Sequence, residues 1–309
     1  MKLKSKFIVS SSFQLLSVLI LGLLLSSVLP TFAKDSIPDF TSAQKGLADG
    51  TFIPIAFQNP NGLISKKGNI WEISNIRWEV NPCPGTSWYA VPHKYVTARI
   101  DPSKALHVYI GRQTVTPLFI HSFLVISFDK GGLEFNGQSS QGLLLTIEPL
   151  LRNDQHSWKV PIDMVKGKYP RLYQLASWED FTVFCGEIMQ QMAWLRPLRT
   201  KDSTVPQRMV ESVLQVSTAA PATSQFDYTT NNCGSCLFPI ISQALPKDEA
   251  DRLAQVLKAS SKPNFSRWFQ KHLELSGLLD ESKPVRMYHD NFFIPLEDLC
   301  KGFFPKVAK

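Results

Sequence analysis

From Asn69 to about Pro149 the apolar and polar positions alternate with the period of a strand. "IWEISNIRWEV" alternates and is rich in β-branched and aromatic residues, which suit a half-buried pleated surface. "KYVTARI" and "ALHVYIG" follow, then "TPLFIHSFLVISFDKGG", an apolar run closed by the turn Lys130-Gly131-Gly132. "GLLLTIEP" predicts another strand, ended by Pro149. Beyond it the period lengthens. "SWEDFTVFCGEIMQQMAWLRP" spaces Phe181, Phe184, Cys185, Ile188, Met189, Met192 and Leu195 by three and four. That pattern predicts an amphipathic helix, capped by Ser177 and stopped by Pro197. "DSTVPQRMVESVLQVS", "PKDEADRLAQVLKAS" and "NFSRWFQKHLELSGLL" predict three more helices. Strands followed by helices imply an α+β fold, an antiparallel sheet with packed helices. Residues 34–69 are polar, with Pro and Gly, and read as an extended lead-in. Residues 70–245 form the α+β domain, and 246–309 a helical C-terminal extension. No internal repeat is present.

The first 33 residues do not belong to that pattern. Lys2, Lys4 and Lys6 precede an apolar run from Leu15 to Leu29, and Thr31 and Ala33 occupy the small-residue positions before a cut. This is the layout of a secretory signal peptide, 1–33. A run of about 15 residues is short for a membrane span, which needs about 20. An uncleaved anchor is the rival, and this segment is then the only membrane contact. Cleavage removes three lysines and no acid, so the net charge of +7 becomes +4 over the remaining residues. The basic residues are scattered, with no stripe of interleaved aromatics, and nucleic acid is not expected as a partner. No Gly-rich phosphate loop, HExxH or zinc-type Cys/His spacing occurs, so no nucleotide, metal or other cofactor is expected.

Export changes the meaning of the cysteines. There are five, Cys83, Cys185, Cys233, Cys236 and Cys300, and an odd number leaves at least one thiol unpaired within the chain. Cys233 and Cys236 lie in "TTNNCGSCLFPIISQAL". Three readings compete there. A papain-type CGSC wants Trp or Tyr next and a His roughly 130–150 residues downstream. Leu237 follows instead, 73 residues remain after Cys236, and His272 and His289 are the only downstream histidines. A dithiol CxxC at a helix start can cycle through a disulfide, and Cys233 with Cys236 is the candidate pair. The third reading makes Cys233 a nucleophile with Cys236 a bystander. It needs a base, because a free thiol is only a few per cent thiolate at neutral pH. His121 is the candidate, since it interrupts the apolar strand "LFIHSFLVISF". The bland alternative makes His121 a satisfied core residue and the cysteines buried thiols. Pro239 bears on the geometry: if a helix starts at Cys233, Pro239 cannot bond the carbonyl of Ser235. His93 and His107 read as surface or strand residues, and His156 lies in a polar loop.

Several blocks, in order, resemble the bacterial Lnb-type N-terminal periplasmic domain family. They are "ISNIRWEV" (73–80), "HSFLVISFDKGG" (121–132), "LLLTIEP" (143–149), "YPRLYQLASWEDF" (169–181) and "TTNNC" (229–233). That family is distantly similar to circularly permuted papain-like hydrolases of the NlpC/P60 type, in which the His precedes the Cys. The resemblance implies a permuted papain-like core, a periplasmic location and a cysteine hydrolase acting on an envelope substrate, whether peptidoglycan peptide, lipid or protein. It places the nucleophile at Cys233, the base at His121 and an orienting acid at Glu148. Asn231, Asn232 and Gly234 become oxyanion candidates. The chain departs from the family after Glu148, where Pro149-Leu150-Leu151 precede Arg152, and after the cysteine, where Gly234-Ser235-Cys236 stand in place of two threonines. A non-catalytic periplasmic binding or scaffold domain of the same fold is the alternative, and a CxxC dithiol redox protein a second one.

Overall fold

The computed structural model of the protein describes residues 40–81, 87–114, 120–153, 169–219, 225–228, 230–260, 266–279, 284–287 and 295–301. The expected leader and its expected cut after Ala33, together with Cys83, His156 and His289, lie outside them. Among the described residues the chain runs α1 (Phe40–Asp49), β1 (Gly62–Lys67), β2 (Ile70–Val80), β3 (His93–Ile100), β4 (Ala105–Thr114), β5 (Ile120–Phe128), β6 (Leu133–Phe135), β7 (Gln138–Ser139), β8 (Gly142–Pro149) and β9 (Tyr169–Ser177). It continues through α2 (Trp178–Val183), β10 (Met192–Pro197), α3 (Val205–Thr218), β11 (Gln225–Phe226), α4 (Leu237–Ala244), α5 (Lys247–Ala259), α6 (Ser266–Leu275), β12 (Val285–Met287) and α7 (Leu296–Leu299).

The fold is α+β, built on one large sheet. Its strand order is β12-β10-β4-β5-β8-β9-β2-β3-β6-β7, with β1 added beside β2 and β11 beside β9. The sheet is mixed rather than antiparallel. β9 takes its direction from antiparallel pairing with β8, and it then meets β2 in parallel at Arg77 and Ala176. β5 explains why a central strand reads as a continuous apolar run. Leu124, Ile126 and Phe128 enter a core shared with α3, α4 and α6, while Phe123 and Val125 enter a second core with Trp178 and Phe181 of α2. Side chains alternate across a strand, so both faces of β5 are covered. Each such side chain, fully buried, contributes about 1.5–3 kcal/mol. His121 shares the α2-facing side with Phe123.

Three further expectations change. The helix predicted over Ser177–Pro197 is only half helical. After α2 the backbone widens into a π turn, Phe184–Ile188, and then pairs as β10 against β4. Ala193 and Leu195 are fully buried at strand spacing, a period of two hidden inside the apparent 3-4 pattern. The lead-in is not simply extended, since it contains α1 and β1. The region after residue 246 is not only helical, because β12 extends the sheet beside β10.

Candidate active site

The segment before α4 is locked by a reciprocal cap. Asn232 Oδ1 accepts from the Gly234 and Ser235 amides at 2.9 and 3.0 Å, and Ser235 Oγ accepts from the Asn232 amide at 2.9 Å. This is the logic of a capping box, which satisfies amides that a helix start leaves orphaned. The Cys236 amide closes a helical turn onto Asn232 O at 3.0 Å. Cys233 therefore occupies the first position of a capped turn. Pro239 falls in the first turn of α4, where its missing N–H costs little, so the helix proper begins at Leu237.

The turn delivers Cys233 to an opening in the sheet. The β5–β8 ladder ends at Phe123 paired with Thr146, while β8 continues beside β9 to Pro149. Along β5, the even-numbered residues turn their backbone groups toward β8, as Phe128 does when its amide bonds Gln141 O. Past Thr146 the strand partner is gone. The sulfur of Cys233 takes its place, accepting from the Ser122 amide at 3.3 Å and lying 3.9 Å from Ile120 O. Cys233 is 2% exposed, and its accessible side faces a cavity.

His121 sits between those two backbone contacts, with its ring stacked on Phe123 at 6.3 Å. Burial disfavours its charged form. The nearby sulfur of Cys233, by charge and as a hydrogen-bond acceptor, and then Glu148 together outweigh that, with Arg77 opposing them. The net displacement of its pKa is upward. Its Nε2 is buried and has no aligned hydrogen-bond partner among the described residues.

The cavity has a volume of about 250 Å³. Its wall is mainly apolar, with Phe57, Trp88, Phe181, Phe184, Met189 and Phe226 prominent. Polar groups converge on it from His121, Cys233, Glu148, Arg77, Gln58 and Gln113. Glu148 lies in the same wall but does not orient the imidazole by contact. Its Oε2 accepts from Gln58 Nε2 at 3.2 Å.

The other expected roles divide. None of Asn231, Asn232 and Gly234 lines the cavity. The Gly234 amide is committed to Asn232 Oδ1, Asn232 Nδ2 donates to Tyr228 O at 3.0 Å, and Asn231 Nδ2 donates to Gln225 O. These residues build the turn and are not placed to hold an oxyanion. Neither Cys233 nor Cys236 forms a disulfide, nor do Cys185 and Cys300. Cys236 faces away from His121, accepting from Arg171 Nη1 at 3.1 Å and donating to Asn231 Oδ1 at 3.0 Å. Burial pushes the Cys236 and Cys185 thiols up, and that of Cys300 up to about 12. No group of three or more metal-ligating side chains occurs among the described residues.

Behind the cavity lies a trio that sequence reasoning missed. Asp180 Oδ1 meets His93 Nδ1 at 2.7 Å, and Asp180 Oδ2 lies 3.0 Å from Arg77 Nε. All three side chains are at most 2% exposed. Burial lowers the His93 pKa, with Asp180 opposing and Arg77 adding to the fall. His93 stands at the start of β3 on the face of Tyr95, Thr97 and Arg99, opposite the core face of Val96, Ala98 and Ile100, so the alternation gave no signal for its burial. Gln58 was hidden in the lead-in, where no periodicity marks it. No family model matches the chain, and neither a similar curated protein nor a similar solved structure was found.

Proposed function

We propose that the protein is an exported cysteine hydrolase, with Cys233 as nucleophile and His121 as base, acting on an acyl ester or amide of the envelope. The observation that carries this is the placement of the Cys233 sulfur at the unpaired edge of β5, against the His121 imidazole and open to the cavity. The thiolate attacks the carbonyl carbon and a C–S bond forms. The bond to the leaving oxygen or nitrogen breaks as the imidazolium protonates that atom. Water, giving its proton to His121, then cleaves the thioester. The apolar wall favours an acyl chain over a polar peptide. The His-before-Cys order agrees with the permuted papain-like resemblance, and the leader supports export.

Hydrolysis of p-nitrophenyl acetate, butyrate and octanoate tests this. The longer esters should be preferred, Cys233→Ala should abolish turnover, and His121→Asn should slow it by about 10²–10⁴-fold. Equal rates in Cys233→Ala and the native protein would end the proposal. The CxxC spacing favours a second reading, a dithiol redox protein. It requires Cys236, whereas the hydrolase does not, so activity retained in Cys236→Ser sets the two apart.

A further inference from the structure

The side chain of Gln58 is 3% exposed and makes three hydrogen bonds. Its Nε2 donates to Glu148 Oε2 at 3.2 Å and to Pro149 O at 2.8 Å, and its Oε1 accepts from the Leu151 amide at 2.8 Å. All three contacts fall on the end of β8 and the residues just beyond it, where the strand has left β5 and has no ladder on that side. Gln58 is itself fixed. Its amide bonds Ile55 O, Asn59 N bonds Gln174 Oε1, and Phe57 O accepts from Arg77 Nη1. The segment 55–61 thus straps the splayed strand from outside. Gln58, Glu148 and His121 line one cavity.

Glu148 is otherwise unexplained. A carboxylate on an apolar wall costs stability unless something uses it. The charged groups acting on His121 are Cys233 from the capped turn, Glu148 from β8 and Arg77 from β2, the last already paired with Asp180. β4 brings the uncharged Gln113 opposite His121, and the π turn brings Cys185, whose thiol burial keeps protonated. Glu148 is therefore the carboxylate that favours the imidazolium.

We propose that Gln58 is a positioning residue: its amide clamps Glu148 to the free end of β8 and so keeps that carboxylate in the cavity it shares with His121. This rests on the thiol–imidazole reading of Cys233 and His121. Gln58 touches no reacting atom and acts only through Glu148.

The test is the pH dependence of Cys233 alkylation by iodoacetate in the full-length protein. An imidazolium attracts this anion, so the rate falls at alkaline pH as His121 loses its proton. Gln58→Met, which keeps the volume but not the donors, should move that alkaline limb to lower pH by about one unit, the scale of one nearby charge. Glu148→Gln should move it the same way, and Gln58→Met should add nothing on that background. Alkylation by neutral iodoacetamide should lack the limb. A folded Gln58→Met protein with the native limb overturns the inference alone. If Gln58→Met fails to fold, a native limb in Glu148→Gln overturns it equally. A limb unchanged by His121→Asn overturns both this inference and the thiol–imidazole reading beneath it.

Discussion

The amide of Ser122 donates to the sulfur of Cys233 at 3.3 Å, at the place where β8 stops pairing with β5. A strand edge that should bond another strand bonds a thiol instead. Backbone donors favour the charged form of a group that accepts from them. The same departure of β8 that turns this donor toward the thiol opens the cavity. The proposed nucleophile and the cavity thus share one structural cause.

The capped turn holds the sulfur at that edge. Asn232→Ala removes the acceptor for two amides at once, and loss of a cap costs about 1–2 kcal/mol. Asn232→Ala should lower the urea midpoint accordingly and slow alkylation of Cys233. Asn232→Asp keeps the acceptor but loses the donor to Tyr228 O, and should fall between the native protein and Asn232→Ala in both. A labelling rate unchanged in Asn232→Ala would show that the turn does not place the thiol.

Gly111 pairs across the strands with Phe123, and a Cβ there would come within 2.0 Å of the Phe123 ring. The ring would have to move, and it stacks on His121 and packs on Phe181 at 4.8 Å. Gly111→Ala should cost about 1–3 kcal/mol through overpacking. It should also depress hydrolysis more than Cys233 alkylation by iodoacetamide, since the base is displaced and the thiol is not. Native hydrolysis in this variant would separate Phe123 from the site.

His93 gives stability a pH dependence of definite sign. Burial lowers its pKa in the folded protein below the unfolded value of about 6.5. Below that pH the unfolded chain binds a proton that the folded one refuses. The stability is present above about pH 6.5 and is lost as the pH falls toward the lowered folded value. The urea midpoint should drop between pH 7.5 and 5.5, and drop less in His93→Gln, which keeps a donor for Asp180 but does not titrate. His121, displaced the other way, is common to both proteins and cancels from the comparison. An equal drop in both would contradict the assignment.

The strands at the centre of the sheet were legible because β2 shows its burial by alternation and β5 and β8 by short continuous apolar runs. The pair proposed as thiol and base was open to sequence reading, Cys233 as a cysteine of an odd-numbered set and His121 as a polar break in an apolar strand. The rest depended on contacts that no local pattern encodes. Asn231 and Asn232 suit both oxyanion donors and a turn before a helix, and only their partners decide for the turn: Asn232 bonds Tyr228 O and the Gly234 and Ser235 amides, and Asn231 bonds Gln225 O, Arg171 and Cys236. Gln58 reaches Glu148 across 90 positions, from a segment without hydrophobic period. β10 was misread because Met192 and Leu195 satisfy helical spacing while Ala193 and Leu195 satisfy strand spacing, and pairing with β4 decides between them.

The most direct measurement is the mass of the intact protein quenched in acid during turnover of p-nitrophenyl octanoate. The account predicts a population heavier by one octanoyl group, mapped to the peptide holding Cys233, retained in Cys236→Ser and missing from Cys233→Ala. Hydrolysis with the acyl group on another residue, or persisting in Cys233→Ala, would contradict it.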